Sequence, residues 1–361
     1  MKTYCYSIAT SVPRYILSQE NAKKKILELF PFEPENRIIL EKIYDHSGIQ
    51  KRHVITRDFL NEEPVFLGCK LSEELPGMSR RNEVYKRESP LLACEAAKEA
   101  LEKWGGDPSK ITHVISVSCT GVVIPGIEFE IMHRLGLNRS VGRFGINFMG
   151  CFGAFKGLEI GHAFARANPQ NRILVVCTEL CSLHIQTTME RDSLLANSLF
   201  ADGAAAVVLG SSPEVEEQPL CEIVQHTSSG LTDSHELMTW EASDDGFVMK
   251  LSGHVPLKIT RHITPFVERL MKQYTNTQNS NWAIHPGGKA ILRTLEKKLG
   301  LEYSQTQASW ETLKQYGNMS SATFLFVLES LCRQKKKAEW TVGLGFGPGL
   351  SVEGVLLRHL N

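Results

Sequence analysis

The feature that most constrains this chain is an alternation of two apolar periods. LLACEAAKEALEKWG (91–105) repeats its apolar residues at helical spacing and stops at Gly105-Gly106. THVISVSCT (112–120) is short and β-branched, as a strand buried on both faces would be. The series continues with a helix over 126–137, a strand over 144–150, a helix over 151–167 and a strand over 172–180. A helix, sharp turn and strand fill 193–212. A second series echoes the first: helix 260–274, strand and loop 281–288, helix 290–300, turn and helix 316–334, strand and glycine-rich loop 340–349, and a last strand over 350–360. Strands separated by helices require crossover connections, so the fold class is α/β.

The polar stretch 211–220 separates the two series, which divides the chain into halves at 1–213 and 214–361. A length of 361 residues suits two such halves. The first 90 residues read as an opening strand, helices around 19–30 and 35–47, and loop with helical pieces over 61–90. KKK at 335–337 reads as a solvated helix end.

Charge and cysteine usage exclude several classes. Lys+Arg and Asp+Glu both number 40, so no field favours nucleic acid or an anionic membrane surface, and any basic site must be local. No run approaches the ~20 apolar residues of a membrane helix, and the start lacks signal-peptide anatomy. The nine cysteines are odd in number, irregularly spaced and without a CxxC pair. Free thiols in a reducing cytoplasm are expected, with no metal site.

One of those thiols is unlike the rest. In NFMGCFGAFKG (147–157), Cys151 follows a strand and opens a helix. A helix N-terminus offers free N–H groups and partial positive charge, which favour thiolate, the nucleophilic form. Buried cysteines are otherwise inert space-fillers, and spacing alone leaves both readings open. A nucleophile needs a base and an oxyanion donor. His285 ends the strand of WAIHPGG, where Pro286, Gly287 and Gly288 force the chain out of the sheet, and strand ends are where α/β sheets place their sites. Asn318 lies in YGNMSS, at a turn opening a helix. Histidine can shuttle a proton and asparagine can donate to an oxyanion. A satisfied strand-end histidine and an ordinary helix cap are the structural alternatives.

GCFGAFKG, LVVCTELCSL, SLFADGAAAVVLG, WAIHPGG, YGNMSSA and GLGFGPGLSVEGV, in that order, resemble the type III polyketide synthases, the chalcone synthase-like family of the thiolase superfamily. The resemblance covers roughly 88–361 and, more weakly, the segment before it. It implies the thiolase fold, two pseudo-duplicated α/β halves in five αβαβα layers, and a homodimer. It implies that Cys151 carries the acyl group and that His285 and Asn318 activate it and promote decarboxylation of malonyl-CoA. Phe200, in SLFADG, matches the gatekeeper where the CoA tunnel meets the cavity, and Gly345, Phe346, Gly347, Pro348 and Gly349 match a structural loop. No cofactor is implied, since CoA thioesters are the substrates.

The chain departs from the plant members at several positions. Their three basic tunnel residues match Ile39, Lys42 and His46, of which only Lys42 is a clear equivalent. Lys51, Arg52 and Lys289, beside Gly287 and Gly288, are the remaining candidates for CoA binding, and an acyl carrier protein is an alternative donor. Cys119, Thr120, Cys181, His184 and Ser320 match cavity-lining positions, and Ile124 one that approaches the dimer partner. Cys119 and Cys181 read as small lining residues, with acyl-carrying or redox-sensitive roles as the alternative. ELCSL is similar to the bacterial branch. Trp240 stands where plant enzymes carry glycine and would close one route into the cavity. The expectation is a medium- or long-chain fatty acyl starter and an alkylpyrone or resorcinol product. The alternatives are a single-condensation enzyme like ketoacyl-ACP synthase III and a non-catalytic scaffold of the same fold.

Overall fold

The computed structural model describes residues 1–29, 32–58, 60, 76–186, 188, 190–214, 217–274, 280–334 and 338–360. The first half runs β1 (Thr3–Ser11), β2 (Tyr15–Ser18), α1 (Gln19–Leu29), α2 (Pro34–His46), β3 (Lys51–Val54), α3 (Met78–Trp104), β4 (His113–Ser118), α4 (Ile127–Arg134), β5 (Gly142–Asn147), α5 (Gly153–Ala167), β6 (Arg172–Leu180), α6 (Arg191–Leu199) and β7 (Asp202–Gly210). The second runs β8 (Cys221–Gly230), β9 (Met238–Ser243), β10 (Gly246–Leu251), α7 (Val255–Met271), β11 (Asn281–Ile284), α8 (Lys289–Leu299), α9 (Tyr303–Tyr316), α10 (Thr323–Cys332), β12 (Trp340–Gly347) and β13 (Ser351–His359). None of the described helices is long and apolar enough to cross a membrane.

Nine strands hydrogen-bond in the order β11-β12-β13-β8-β1-β7-β6-β4-β5. The halves meet within this order. β1 pairs with β7 along most of its length but with β8 only over Thr3–Cys5. Layering follows from side-chain alternation. All nine residues of β6 are buried. Its Leu174, Val176 and Leu180 join an outer core with Ala93, Ala96, Ala97 and Ala100 of α3. Its Ile173, Val175 and Cys177 join a central core with Phe155 and Leu158 of α5 and Phe324 to Leu328 of α10. Val355 and Leu357 of β13 close that core from the other side, and Leu356 turns instead to Ile259, Ile263 and Phe266 of α7. The five layers are therefore helix, sheet, helix, sheet, helix, as the thiolase fold requires. α5 lies against its sheet at Gly157, where a Cβ would stand 2.7 Å from Val175 Cγ1.

Several segments differ from the sequence expectation, among them the strand expected over 144–150, found as β5 at Gly142–Asn147, and the unread strands β8 to β10. The helix expected over 91–105 begins at Met78 and carries Pro90 inside it. A proline costs ~3 kcal/mol in a helix interior. Here a single buried face from Arg81 through Tyr85, Leu92, Ala96 and Ala100 to Trp104 binds both sides of it to the fold. Residues 78–90 are thus helix, while 61–75 lie outside the described residues. α9 was unread because the residues it buries, Thr306, Ala308, Ser309, Thr312 and Leu313, are mostly small or polar and leave no apolar period. KKK at 335–337 also lies outside the described residues.

Candidate active site

The turn that carries Cys151 is built from conformations that few residues adopt. After β5, Phe148 takes φ +60° and Gly150 φ +69°. A Cβ on Gly150 would also lie 2.6 Å from Pro348 Cδ, so the glycine lets the GFGPG loop pack directly on the turn. Gly347 closes from the same side, where a Cβ would be 2.6 Å from the Phe152 ring. Cys151 sits in a 3-10 turn, Gly150–Phe152, that leads into α5, not within α5 itself.

The second half supplies two side chains. His285 follows β11, and its N–H donates to the Leu344 carbonyl at 2.8 Å, which extends the sheet pairing by one residue. The residue is 1% exposed. Neither ring nitrogen has a hydrogen-bond partner among the described residues. Asn318 forms an isolated parallel bridge with Phe200, its N–H donating to Leu199 and its carbonyl accepting from Ala201, both at 2.9 Å. The gatekeeper candidate and the amide therefore share one short backbone link between the halves. Asn318 Oδ1 accepts from the Ser320 N–H at 2.9 Å and Nδ2 donates to the Gly287 carbonyl at 3.3 Å. That fixes the amide with both of its polar atoms 4.0 Å from Cys151 Sγ. Ser320 is held at φ +47°.

Burial decides the protonation of this group. It pushes the Cys151 thiol up to about 11, with the Glu179 charge adding to it and hydrogen bonds from Ser320 and Asn318 opposing it. It pushes the His285 imidazole down to about 3. Without substrate the pair is thiol and neutral imidazole. The thiolate-favouring field expected of a helix N-terminus is outweighed by desolvation.

A cavity of about 750 Å³ joins the surface to these residues. Lys42 of α2, Arg191 of α6 and Lys289 of α8 supply its cationic lining, and His46 of α2 also lines it. Gly287, Gly288, Phe200, Phe346 and Ile39 also line it. Lys51 is not among its lining residues, and Arg52 lies elsewhere. The Arg52 guanidinium is buried and donates to the carbonyls of Asn197 at 2.8 Å and Phe200 at 2.7 Å, so it holds the end of α6. Sequence reasoning missed Arg191, whose segment carries no motif, and Met238 and Met249 of the β9–β10 hairpin.

The other lining candidates divide by contact. Thr120 donates to Glu179 Oε2 at 2.8 Å and accepts from the Leu180 N–H at 2.9 Å. Cys119 Sγ lies 3.4 Å from Glu179 Oε1 and 3.3 Å from Ser320 Oγ. Burial first, and then the Glu179 charge, hold the Cys119 and Cys181 thiols well above the usual range. His184 accepts from the Phe247 N–H at 3.1 Å and bonds the Thr120 carbonyl at 2.8 Å. Its other nitrogen thus carries the proton, and burial lowers it to about 4. Ile124 is 94% exposed. Glu179, which accepts from Cys119, Thr120 and Ser321, was quoted within ELCSL but not singled out by the sequence reading.

The family described as chalcone and stilbene synthases, N-terminal domain, matches residues 2–213, and its C-terminal domain matches 222–361. Probable polyketide synthase 1 of Dictyostelium discoideum is 36% identical over 365 residues, which cover 99% of this chain and 11% of that protein. The chain thus spans about a tenth of that relative's length. The C-terminal type III polyketide synthase domain of Steely1, a type I/III hybrid from Dictyostelium, superposes with a TM-score of 0.94 at 35% identity over 100% of both chains. PKS-I of the brown alga Ectocarpus siliculosus gives 0.93 at 29% identity over 99% and 98%.

Proposed function

The chain belongs to the chalcone and stilbene synthase family of type III polyketide synthases, and from that premise we propose that it loads a fatty acyl group from CoA onto Cys151 and extends it with malonyl-CoA. The carrying observation is the convergence of Cys151, His285 and Asn318 at the inner end of a cavity whose lining includes Lys42, His46, Arg191 and Lys289. Lys42, Arg191 and Lys289 suit the phosphates of CoA, with Gly287 and Gly288 in the same lining.

The steps follow from the geometry. Cys151 Sγ loses its proton and attacks the acyl thioester, and CoA leaves as the thiol. Malonyl-CoA then occupies the cavity and loses CO2, which leaves negative charge on the thioester oxygen. Neutral His285 has an uncommitted N–H to donate there. Asn318 Nδ2 spends one hydrogen on Gly287 and keeps its second for the same oxygen. The carbanion attacks the acyl-Cys151 carbonyl, the C–S bond breaks, and the extended chain is returned on CoA. Repetition and ring closure give alkylpyrone or resorcinol-type products, with no cofactor beyond the thioesters.

A homodimer is part of this reading, supported by the apolar, exposed Ile124, Val122 and Phe148 on one face. So is the cytoplasm, supported by the free thiols of Cys5, Cys94, Cys119, Cys151, Cys177 and Cys181. The relatedness to a hybrid synthase favours an acyl carrier protein as a second acyl source. Mass spectrometry of products from an acyl-CoA panel with malonyl-CoA, beside Cys151→Ala, tests the reading. Triketide or tetraketide pyrones that the variant fails to make support it. No product and no adduct on Cys151 from any CoA would sink it.

A further inference from the structure

The short backbone link that carries Asn318 is braced from outside the nine-stranded sheet. β3 pairs with β2 in a separate two-stranded sheet. Arg52 and His53 of β3, both buried, reach the turn after α9 at neighbouring residues. The His53 ring stacks on Tyr316 at 5.9 Å. The Arg52 stem packs on Gly317, where a Cβ would stand 2.9 Å from Arg52 Cγ and 2.9 Å from the Leu199 carbonyl oxygen. Gly317 takes φ +71°, so a residue without Cβ lets the stem, the end of α6 and the turn meet at one point. Asn318 follows directly.

The guanidinium completes the brace. α6 has no basic residue in its own last turn, and the carbonyls of a helix C-terminus lack partners within the helix. Arg52 Nη1 supplies them from β3, at Asn197 and at Phe200. The Asn197 carbonyl accepts from Tyr44 Oη as well, at 3.3 Å. Phe200 stands between the two residues that bond the Asn318 backbone, Leu199 and Ala201. The bonds of the Asn318 side chain to Ser320 and Gly287 set which way its amide faces, while this bridge sets where its Cα stands.

We propose that Arg52 is a positioning residue for decarboxylation, holding the Phe200–Asn318 bridge so that the free Asn318 Nδ2 hydrogen meets the thioester oxygen. This rests on the polyketide synthase reading above. As the bond to CO2 breaks, its electron pair moves into the enolate, and the oxygen that gains the charge is the one Asn318 faces. Arg52 does not line the 750 Å³ cavity, so it acts through Asn318 and not on substrate. An oxyanion donor works only where it is aimed at the developing charge, and a misplacement of about 1 Å costs about 10²-fold.

The test is a double-mutant cycle, read as kcat for CO2 release from malonyl-CoA, with alkylation of Cys151 by iodoacetamide in parallel. Arg52→Met keeps the buried length and removes the donor. It should lower kcat by about 10–10²-fold and leave the alkylation rate within about twofold of wild type, because Cys151 is held by a different turn. Added to Asn318→Ala, the same substitution should cost less than about twofold more, since the group it positions is then absent. Arg52→Lys, whose one nitrogen serves one carbonyl, should lose only about threefold. A kcat for Arg52→Met within about twofold of wild type, an equal fall in both backgrounds, or a matching fall in alkylation overturns the proposal. Should Arg52→Met not fold, Arg52→Lys runs the same cycle: its fall must vanish beside Asn318→Ala, and no fall, or one that persists, overturns the proposal. Failure of the underlying reading looks different, as a wild type that releases no CO2 from malonyl-CoA, and the proposal falls with it.

Discussion

At the residue scale, the site is a thiol and an imidazole that burial keeps neutral. The folded Cys151 value of about 11 lies above the ordinary 9.0, so thiolate is scarce at neutral pH. Its alkylation by iodoacetamide in the free protein should therefore speed up about tenfold per pH unit between 7 and 9. A rate already level by pH 7 would mean a preformed thiolate–imidazolium pair. On the proposed mechanism, Asn318→Ala should lower malonyl-CoA decarboxylation by about 10²–10³-fold, read as CO2 release. Cys151, His285 and Asn318 stood out as candidates because each sits beside chain-breaking residues in a short motif. Their protonation was not legible, because it depends on how much protein surrounds them.

At the element scale, α5 follows the turn that carries Cys151, and its closeness to the sheet depends on Gly157. Alanine would ordinarily favour a helix by about 1 kcal/mol. Here its Cβ would meet Val175 Cγ1 at 2.7 Å and Val117 Cγ2 at 3.2 Å. Overpacking should win, and Gly157→Ala should lose about 1–2 kcal/mol in urea denaturation. A stabilised variant would show that α5 can move away from β6. Elements with a full apolar pattern were legible, β6 to the residue and α8 to within one residue at each end. α9 was not, because its buried face is mostly threonine, serine and alanine, and α3 was read short because Pro90 looks like a boundary until the sheet beneath it is known.

At the scale of the whole molecule, the halves share the central layer, and His162 of α5 faces His226 of β8 across it, ring centroids 5.4 Å apart. Burial first, then the charges of His162 and Lys156, lower His226 from 6.5 to about 3. A histidine depressed in the folded state leaves stability intact above pH 6.5 and removes it as pH falls from there toward 3. His226→Gln carries no such penalty. Its stability deficit against wild type should therefore shrink by about 1 kcal/mol per unit between pH 6 and 4, measured by urea denaturation. A deficit independent of pH would show that His226 protonates freely.

The sequence by itself determined the α/β alternation, the duplication and the family, because apolar period and short catalytic motifs are local properties of the chain. The tertiary structure alone decided which cations reach the cavity. Arg52, itself a candidate for CoA binding, turns inward to backbone carbonyls, while Arg191, in no motif, lines the cavity. It also seated the Trp240 indole, whose Nε1 donates to the Cys119 carbonyl at 2.7 Å. Both outcomes depend on which side chains from distant segments meet, and a buried guanidinium or indole settles where its hydrogen bonds and ring contacts can be completed.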